Sequence, residues 1–259
     1  MLEEKMKTTI TSTLAILLAL AASAPAQNIT VKGSDTMVIL AQKWAEAYMK
    51  KYPAVTIQVT GGGTGTGVAA LLNGLTDICN ASRPMRASEI ADFVRKFKVR
   101  PREYKMCFDA LSVYVHKDNP IEKLSFPQLE AIFTGRITNW KQVGGPDMPI
   151  SLYGRENTSG TYEFFKEHVL NRKDFAATTK TMPGTAAVIQ GVAKDKGAIG
   201  YGGIAYGEGV KFIKVSKTDG GEAIEPCEET VLNGAYPISR YLFCYVAPAR
   251  DTGHIAAYI

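Results

Sequence analysis

The sequence predicts an α/β fold built on a mainly parallel sheet. Two observations carry this: short β-branched runs alternate with helical stripes, and three Gly/Ser/Thr-rich loops each stand between such a run and the stripe that follows. No fixed-period repeat or low-complexity tract interrupts the alternation.

Ile29 to Lys32 reads as the first strand, and Gly33-Ser34-Asp35-Thr36 leads it into a helix whose Met37, Leu40, Ala41, Trp44, Ala45 and Tyr48 share one face. Val55 to Val59 alternates as a second strand. Gly61 to Gly67 follows, and Val68, Leu71, Leu72 and Leu75 mark the next helical stripe. Thr76 to Pro84 reads as a strand running into a loop, Ser88 to Arg100 as a charged amphipathic helix, and Leu111 to Val115 as an apolar strand punctuated by Asn119-Pro120. Ser125 is the expected cap of a helix reaching Phe133, and Asn139-Trp140 closes a turn. Ile150 to Tyr153 is a strand, broken by Gly154 to Thr161 and followed by a helix containing Phe164, Phe165 and Val169. Thr185 to Ala193 reads as helix and Gly197 to Tyr201 as strand. Tyr236-Pro237 marks a return, Tyr241 to Val246 is a strong strand, and His254 to Ile259 begins a last helix.

Lys5 and Lys7 precede an apolar run from Ile10 to Ala22, and Ala24-Pro25-Ala26 supplies small residues for cleavage, the pattern of a secretory signal over residues 1–26. The run is shorter than the about 20 residues that cross a bilayer. Glu3 and Glu4 are unusual in such a leader and point to a start at Met6. No cysteine stands at the cleavage point, which argues against a lipid anchor there. The remainder suffices for one large α/β domain or for two lobes of about 100 to 120 residues each.

The formal charge of +5, without a dense basic run, suits small anions better than nucleic acid. Cys79, Cys107, Cys227 and Cys244 are widely spaced with no Cys-x-x-Cys pair, so no zinc site is indicated. An oxidising compartment permits disulfides, with Cys107 and Cys244 the favoured pair and buried free thiols the alternative. His116, His168 and His254 lack ligand spacing and read as surface residues, which leaves no metal site and no histidine triad.

The loops Gly33 to Thr36, Gly61 to Gly67 and Thr158 to Thr161 share one design: each follows a strand and opens a helix. A helix start presents free N–H groups and roughly half a positive charge, so three supply about +1.5. Arg155 adds a full charge in a geometry suited to two oxygens, which nearly balances a divalent oxyanion. Hydroxyls of Thr36, Thr64, Ser159 and Thr161 each add about 1.5 to 3 kcal/mol toward a charged partner. The competing reading makes Ser and Thr ordinary caps and the glycines ordinary turn residues.

Gly61 to Gly67 also resembles the phosphate loop of tubulin-like GTPases, a nucleotide-hydrolysing alternative. That fold places the loop after several βα units, whereas here it comes early, and no second nucleotide element follows. No Gly-Lys-Ser/Thr loop and no Gly-x-Ser-x-Gly elbow around Ser159 occurs.

Several segments in order resemble the periplasmic phosphate-binding proteins of ABC-type phosphate importers. They are Gly33 to Met37 before Lys43-Trp44-Ala45, Gly61 to Gly67, Asp77 through Ser82-Arg83-Pro84, Ile137 to Trp140, Arg155 through Ser159-Gly160-Thr161, Gly197 to Tyr201, and Tyr236 to Arg240. The resemblance implies a type II periplasmic binding fold, two α/β lobes joined by a two-strand hinge with the ligand in the cleft. Leu111 to Val115 and Ser239 to Phe243 look like the crossings. Lobe I is then 27–112 plus 239–259, and lobe II 113–238, with the helix that closes lobe I missing from a chain ending at Ile259.

By motif position the resemblance implies phosphate ligands Ser34, Asp35, Thr36, Gly63, Thr64, Ser82 and Arg83 from the first lobe and Arg155, Ser159, Gly160 and Thr161 from the second. It implies a periplasmic monomer that needs no cofactor, is not an enzyme, binds no nucleic acid and partners a membrane permease. The related alternative is another tetrahedral oxyanion such as sulfate, arsenate or molybdate. Well-known members carry an aspartate at the position of Ser82. Its absence makes Asp35 either the replacement acceptor for the proton of phosphate or a plain helix cap, and leaves Arg83 to pair with the anion, with Asp77, or with another carboxylate of its lobe.

Overall fold

The computed structural model describes residues 27–259; the expected signal over 1–26 lies outside them. Strand β1 (Gln27–Gly33) runs parallel to β2 (Val55–Thr60) and β3 (Ile78–Ala81), with helices α1 (Val38–Lys51) and α2 (Thr64–Asn73) as the crossovers. The alternation read in β2 is that of an edge strand, Val55 and Ile57 buried and Thr56 and Gln58 exposed, whereas all four residues of the central β3 are buried. Helix α3 (Ala87–Phe97) follows, its start fixed where Glu89 accepts the Arg86 N–H at 2.7 Å.

The stripe expected to reach Leu75 stops sooner. Gly74, at φ 71°, turns left-handed and donates back to Ala70 and Leu71, so Leu75 lies outside α2 and is 74% exposed.

Strand β4 (Arg102–His116) carries the chain from one lobe to the other. Its first half pairs antiparallel with β11 (Ser239–Val246); its second half pairs antiparallel with β8 (Ala198–Gly203) and β9 (Val210–Phe212). The Leu111 N–H donates to Ile238 O at 2.9 Å where the two connections cross side by side. The sheet therefore runs β2-β1-β3-β11-β4-β8-β6-β7, with β6 (Ser151–Arg155) and β7 (Lys180–Met182). Pairing is parallel at the outer strands of each lobe and antiparallel at the crossings, so the sheet is mixed rather than mainly parallel.

In the second lobe, helices α4 (Phe126–Phe133), α5 (Gly160–His168) and α6 (Thr185–Lys194) surround β6 and β8. Ser125 caps α4 as expected: its hydroxyl accepts the Gln128 N–H at 3.2 Å while Gln128 Oε1 accepts the Ser125 N–H at 3.0 Å. The short parallel pair β5 (Lys123–Ser125) and β10 (Lys214–Ser216), helix α7 (Glu228–Leu232) and the last helix α8 (Gly253–Tyr258) complete the strands and α-helices of the described residues, and a 3-10 turn, Asp35–Met37, leads into α1.

Separate apolar cores hold the halves. Trp140, Phe133, Phe165 and Tyr201 fill the second, with Phe165 stacked on Tyr201 at 4.1 Å, while Ile29, Val31, Ile78 and Val246 fill the first, with Val68, Leu71 and Phe93 beside them. Burying each such aromatic contributes about 1.5–3 kcal/mol. All four cysteines are free thiols, so Cys107 and Cys244 are not bridged. His116 is buried at the end of β4, where its Nδ1 accepts the Asp118 N–H at 3.1 Å, and is not a surface residue. Among the described residues no helix is long and apolar enough to cross a membrane.

Candidate functional site

The three glycine-bearing loops meet. Gly63, at φ 88°, starts α2, and a Cβ there would stand 2.6 Å from Thr158 O of the opposite lobe. Gly160 opens α5, and a Cβ on it would stand 2.5 Å from Thr64 Oγ1 and 2.8 Å from Ser82 Oγ. The Gly65 N–H donates to Thr158 O at 2.9 Å. At Gly63 a side chain would run into the backbone of the other lobe, and at Gly160 into its hydroxyls, so both positions call for glycine.

Between these helix starts lies a cluster of hydroxyls. Thr36 Oγ1 is 2.8 Å from Thr161 Oγ1, and Thr64 Oγ1 is 3.3 Å from Ser82 Oγ and accepts the Ser82 N–H at 3.0 Å. All four residues are buried, as is Ser34, whose hydroxyl has no partner. Ser159 caps α5, accepting the Tyr162 N–H at 3.2 Å.

A charged flank adjoins the hydroxyls. Arg155, its side chain 1% exposed, donates to Asp35 Oδ2 at 2.7 Å across the lobes, to Thr185 Oγ1 at 3.0 Å, and to Glu156 at 2.9 and 3.0 Å. Burial works to raise the Glu156 carboxyl, but Arg155 outweighs it and holds it below the usual carboxylate range. The other oxygen of Asp35 accepts the Gly62 N–H at 2.9 Å, so Asp35 spans to the second loop and does not cap its own helix. The Tyr206 hydroxyl donates to Asp35 O at 2.5 Å.

Arg83 is engaged elsewhere. Glu89 accepts two of its N–H groups at 2.7 and 2.8 Å, Pro84 O accepts at 2.9 Å, and its Nε lies 2.6 Å from Glu163 of the opposite lobe. Asp77 is not its partner: that carboxylate binds Arg250 and accepts from the Thr30 N–H at 2.8 Å.

Sequence reading gives Arg240, the end of the Tyr236 to Arg240 segment, no site role and passes over Asp109; Arg240 lies against Thr161, with Asp109 as its partner. Arg240 donates to Asp109 Oδ2 at 2.9 and 3.1 Å, to Ser82 O at 3.0 Å and to Thr161 Oγ1 at 3.0 Å. Burial pushes the Asp109 carboxyl up, with Arg240 pulling the other way. The available signal was the one charge of β11, Arg240, and a carboxylate, Asp109, at the head of the apolar second half of β4. Thr185, at the start of α6, and Glu156 were also missed as partners of Arg155.

Comparison with known proteins adds to this geometry. The PBP superfamily domain matches the chain over residues 19–259. The phosphate-binding protein PstS of Pseudomonas aeruginosa is 37% identical over 243 residues, covering 89% of this chain and 75% of that protein. Protein SphX of Synechococcus elongatus is 35% identical over 237 residues, 87% of this chain and 70% of that one. A structure assigned as a phosphate ABC transporter substrate-binding protein from Clostridium perfringens, with bound phosphate, is similar at a TM-score of 0.81 and 29% identity, over 90% of this chain and 91% of that one.

Proposed function

This chain belongs to the PBP superfamily and, within it, to the phosphate-binding proteins that serve ABC transporters, and from that membership we propose that it captures inorganic phosphate between its lobes and hands it to the permease of an importer. The observation that carries the reading is the meeting of helix starts from both lobes around one buried set of hydroxyls, with Arg155 at its flank.

The lobes, 27–112 with 239–259 and 113–238, part about the β4 and β11 crossings to admit the anion and close on it. Thr36, Thr64 and Ser82, with Ser34 and the Gly63 start, hold it from one side; Ser159, Gly160, Thr161 and Arg155 hold it from the other. Asp35 takes the proton of a hydrogenated phosphate. Arg83 acts beside the site, in the contact between lobes. Each hydroxyl or N–H donated to a charged guest adds about 1.5 to 3 kcal/mol, and micromolar affinity needs only about 8 kcal/mol net.

The protein works as a monomer in the periplasm, binds without turnover, and needs neither cofactor nor nucleic acid. The apolar leader of the sequence supports the location, and the phosphate-binding and transporter roles of its relatives support the transport role.

Calorimetric titration of anion-stripped protein with phosphate and then sulfate tests the reading. Micromolar or tighter phosphate binding, with sulfate at least about tenfold weaker, is expected. No phosphate heat, or tighter sulfate binding, overturns it, as does GTP or ATP hydrolysis that Thr64→Ala abolishes.

A further inference from the structure

Arg240 is a full charge placed nine-tenths buried at the junction of three parts of the molecule. It sits on β11 directly across the ladder from Asp109 on β4, so the pair ties the two crossing strands together. Its hold on Ser82 O reaches the first lobe's anion loop. Its contacts with Thr161 Oγ1 and, at 5.3 Å, with the ring of Phe164 reach the second lobe's α5.

Guanidinium N–H groups donate and never accept. The Arg240 N–H therefore occupies a lone pair of Thr161 Oγ1, and the hydroxyl proton must point elsewhere. The acceptors within reach are Thr36 Oγ1 at 2.8 Å and Ser82 Oγ at 3.5 Å, both on the facing lobe. The Ser82 N–H does the same to Thr64 Oγ1. A free hydroxyl can serve as donor or acceptor; these two are biased to donate into the cleft, the polarity that an acceptor-only anion needs.

We propose that Arg240 is a positioning residue for anion capture, fixing the Thr161 hydroxyl as a donor into the cleft while making no contact with the anion itself. This rests on the reading of the cleft as an oxyanion site and adds to it a residue that carries no motif of the anion loops. A direct role for Arg240 as a ligand is the competing arrangement, and the two differ in how their losses combine. Acting through Thr161, Arg240 has nothing left to contribute once that hydroxyl is gone; touching the anion, it contributes in either background.

The test is a double-mutant cycle read by titration, with phosphate or sulfate, whichever the wild type binds. The Arg240 side is changed as the apolar pair Arg240→Met with Asp109→Leu, which leaves no unpaired buried charge; the other side is Thr161→Val. Each is expected to weaken binding by about tenfold or more, and all three changes together by no more than about twofold beyond the weaker of the two. Losses that multiply, or a paired variant with wild-type melting temperature binding within about threefold of wild type, overturn the proposal. Should the paired variant not fold, Thr161→Val alone decides: binding within about threefold of wild type removes the hydroxyl that the inference depends on. Thr161→Ser, which keeps the hydroxyl, must bind within that same range. A wild-type protein that binds sulfate but not phosphate sinks the phosphate reading and leaves this cycle intact, whereas one that binds neither sinks both.

Discussion

Arg155 Nη2 and Asp35 Oδ2 stand 2.7 Å apart, a guanidinium of the second lobe held by a carboxylate of the first. The carboxylate thereby occupies one donor of the cation proposed for the guest, and in the acceptor role proposed for it would repel an anion that cannot offer it a proton. Asp35→Asn keeps the shape and removes the charge, and Glu156 still partners Arg155. Sulfate affinity is expected to rise at least about tenfold with a smaller change for phosphate, the difference of one charge in a partly screened site. Competition calorimetry reads this directly, and unchanged selectivity removes Asp35 from the discrimination.

Glu163 of α5 joins Arg83, at 2.6 Å from its Nε, and Arg86, at 2.5 and 2.7 Å, both beyond the first lobe's β3. The cluster reaches across the lobes at the mouth of the cleft, where Tyr162, Lys166 and Asn157 line a cavity of about 610 Å³ with the two arginines. With Arg86 half exposed, such a clasp contributes about 1 kcal/mol to closure. Glu163→Gln should release phosphate several-fold faster by stopped-flow displacement, with the difference from wild type shrinking in high salt. Equal release rates would mean that the clasp does not hold the lobes.

How much of this could be read beforehand depended on how local the cause was. The Ser125 cap lies within one turn of its partner Gln128, and the anion loops announce themselves by glycine and hydroxyl composition. Strand β4 was half hidden because Arg102 to Lys105 is charged, which an edge position tolerates and an isolated sequence cannot reveal. The Arg83–Glu163 contact and the Arg240–Asp109 pair are set by chain crossings, the latter joining residues 131 apart. No window of sequence contains both ends of such contacts.

Gly160→Ala separates closure from folding. Alanine is acceptable at a helix start, but its Cβ would stand 2.5 Å from Thr64 Oγ1 and 2.8 Å from Ser82 Oγ, both on the facing lobe. The lobes relieve this by staying apart, so phosphate affinity should fall by about tenfold or more while the melting temperature of the phosphate-free protein shifts little. Small-angle scattering should show less compaction on adding phosphate than the wild type does. Full compaction with wild-type affinity would show that the lobes do not meet at Gly160.

Acid should act through Glu156. Its carboxyl is held below its ordinary value of 4.5, with burial opposed and outweighed by the Arg155 guanidinium. A depressed carboxyl stabilises the fold fully above its unfolded value, and that contribution disappears as the pH drops through the lower folded value. Glu156→Gln, which cannot be charged, should therefore melt below wild type at neutral pH by a constant margin down to about pH 5. Below about pH 4 the margin should close, because protonated wild type loses the same interaction. A margin that is flat from pH 7 to pH 3 would place the stabilisation in the shape of the side chain and not in its charge.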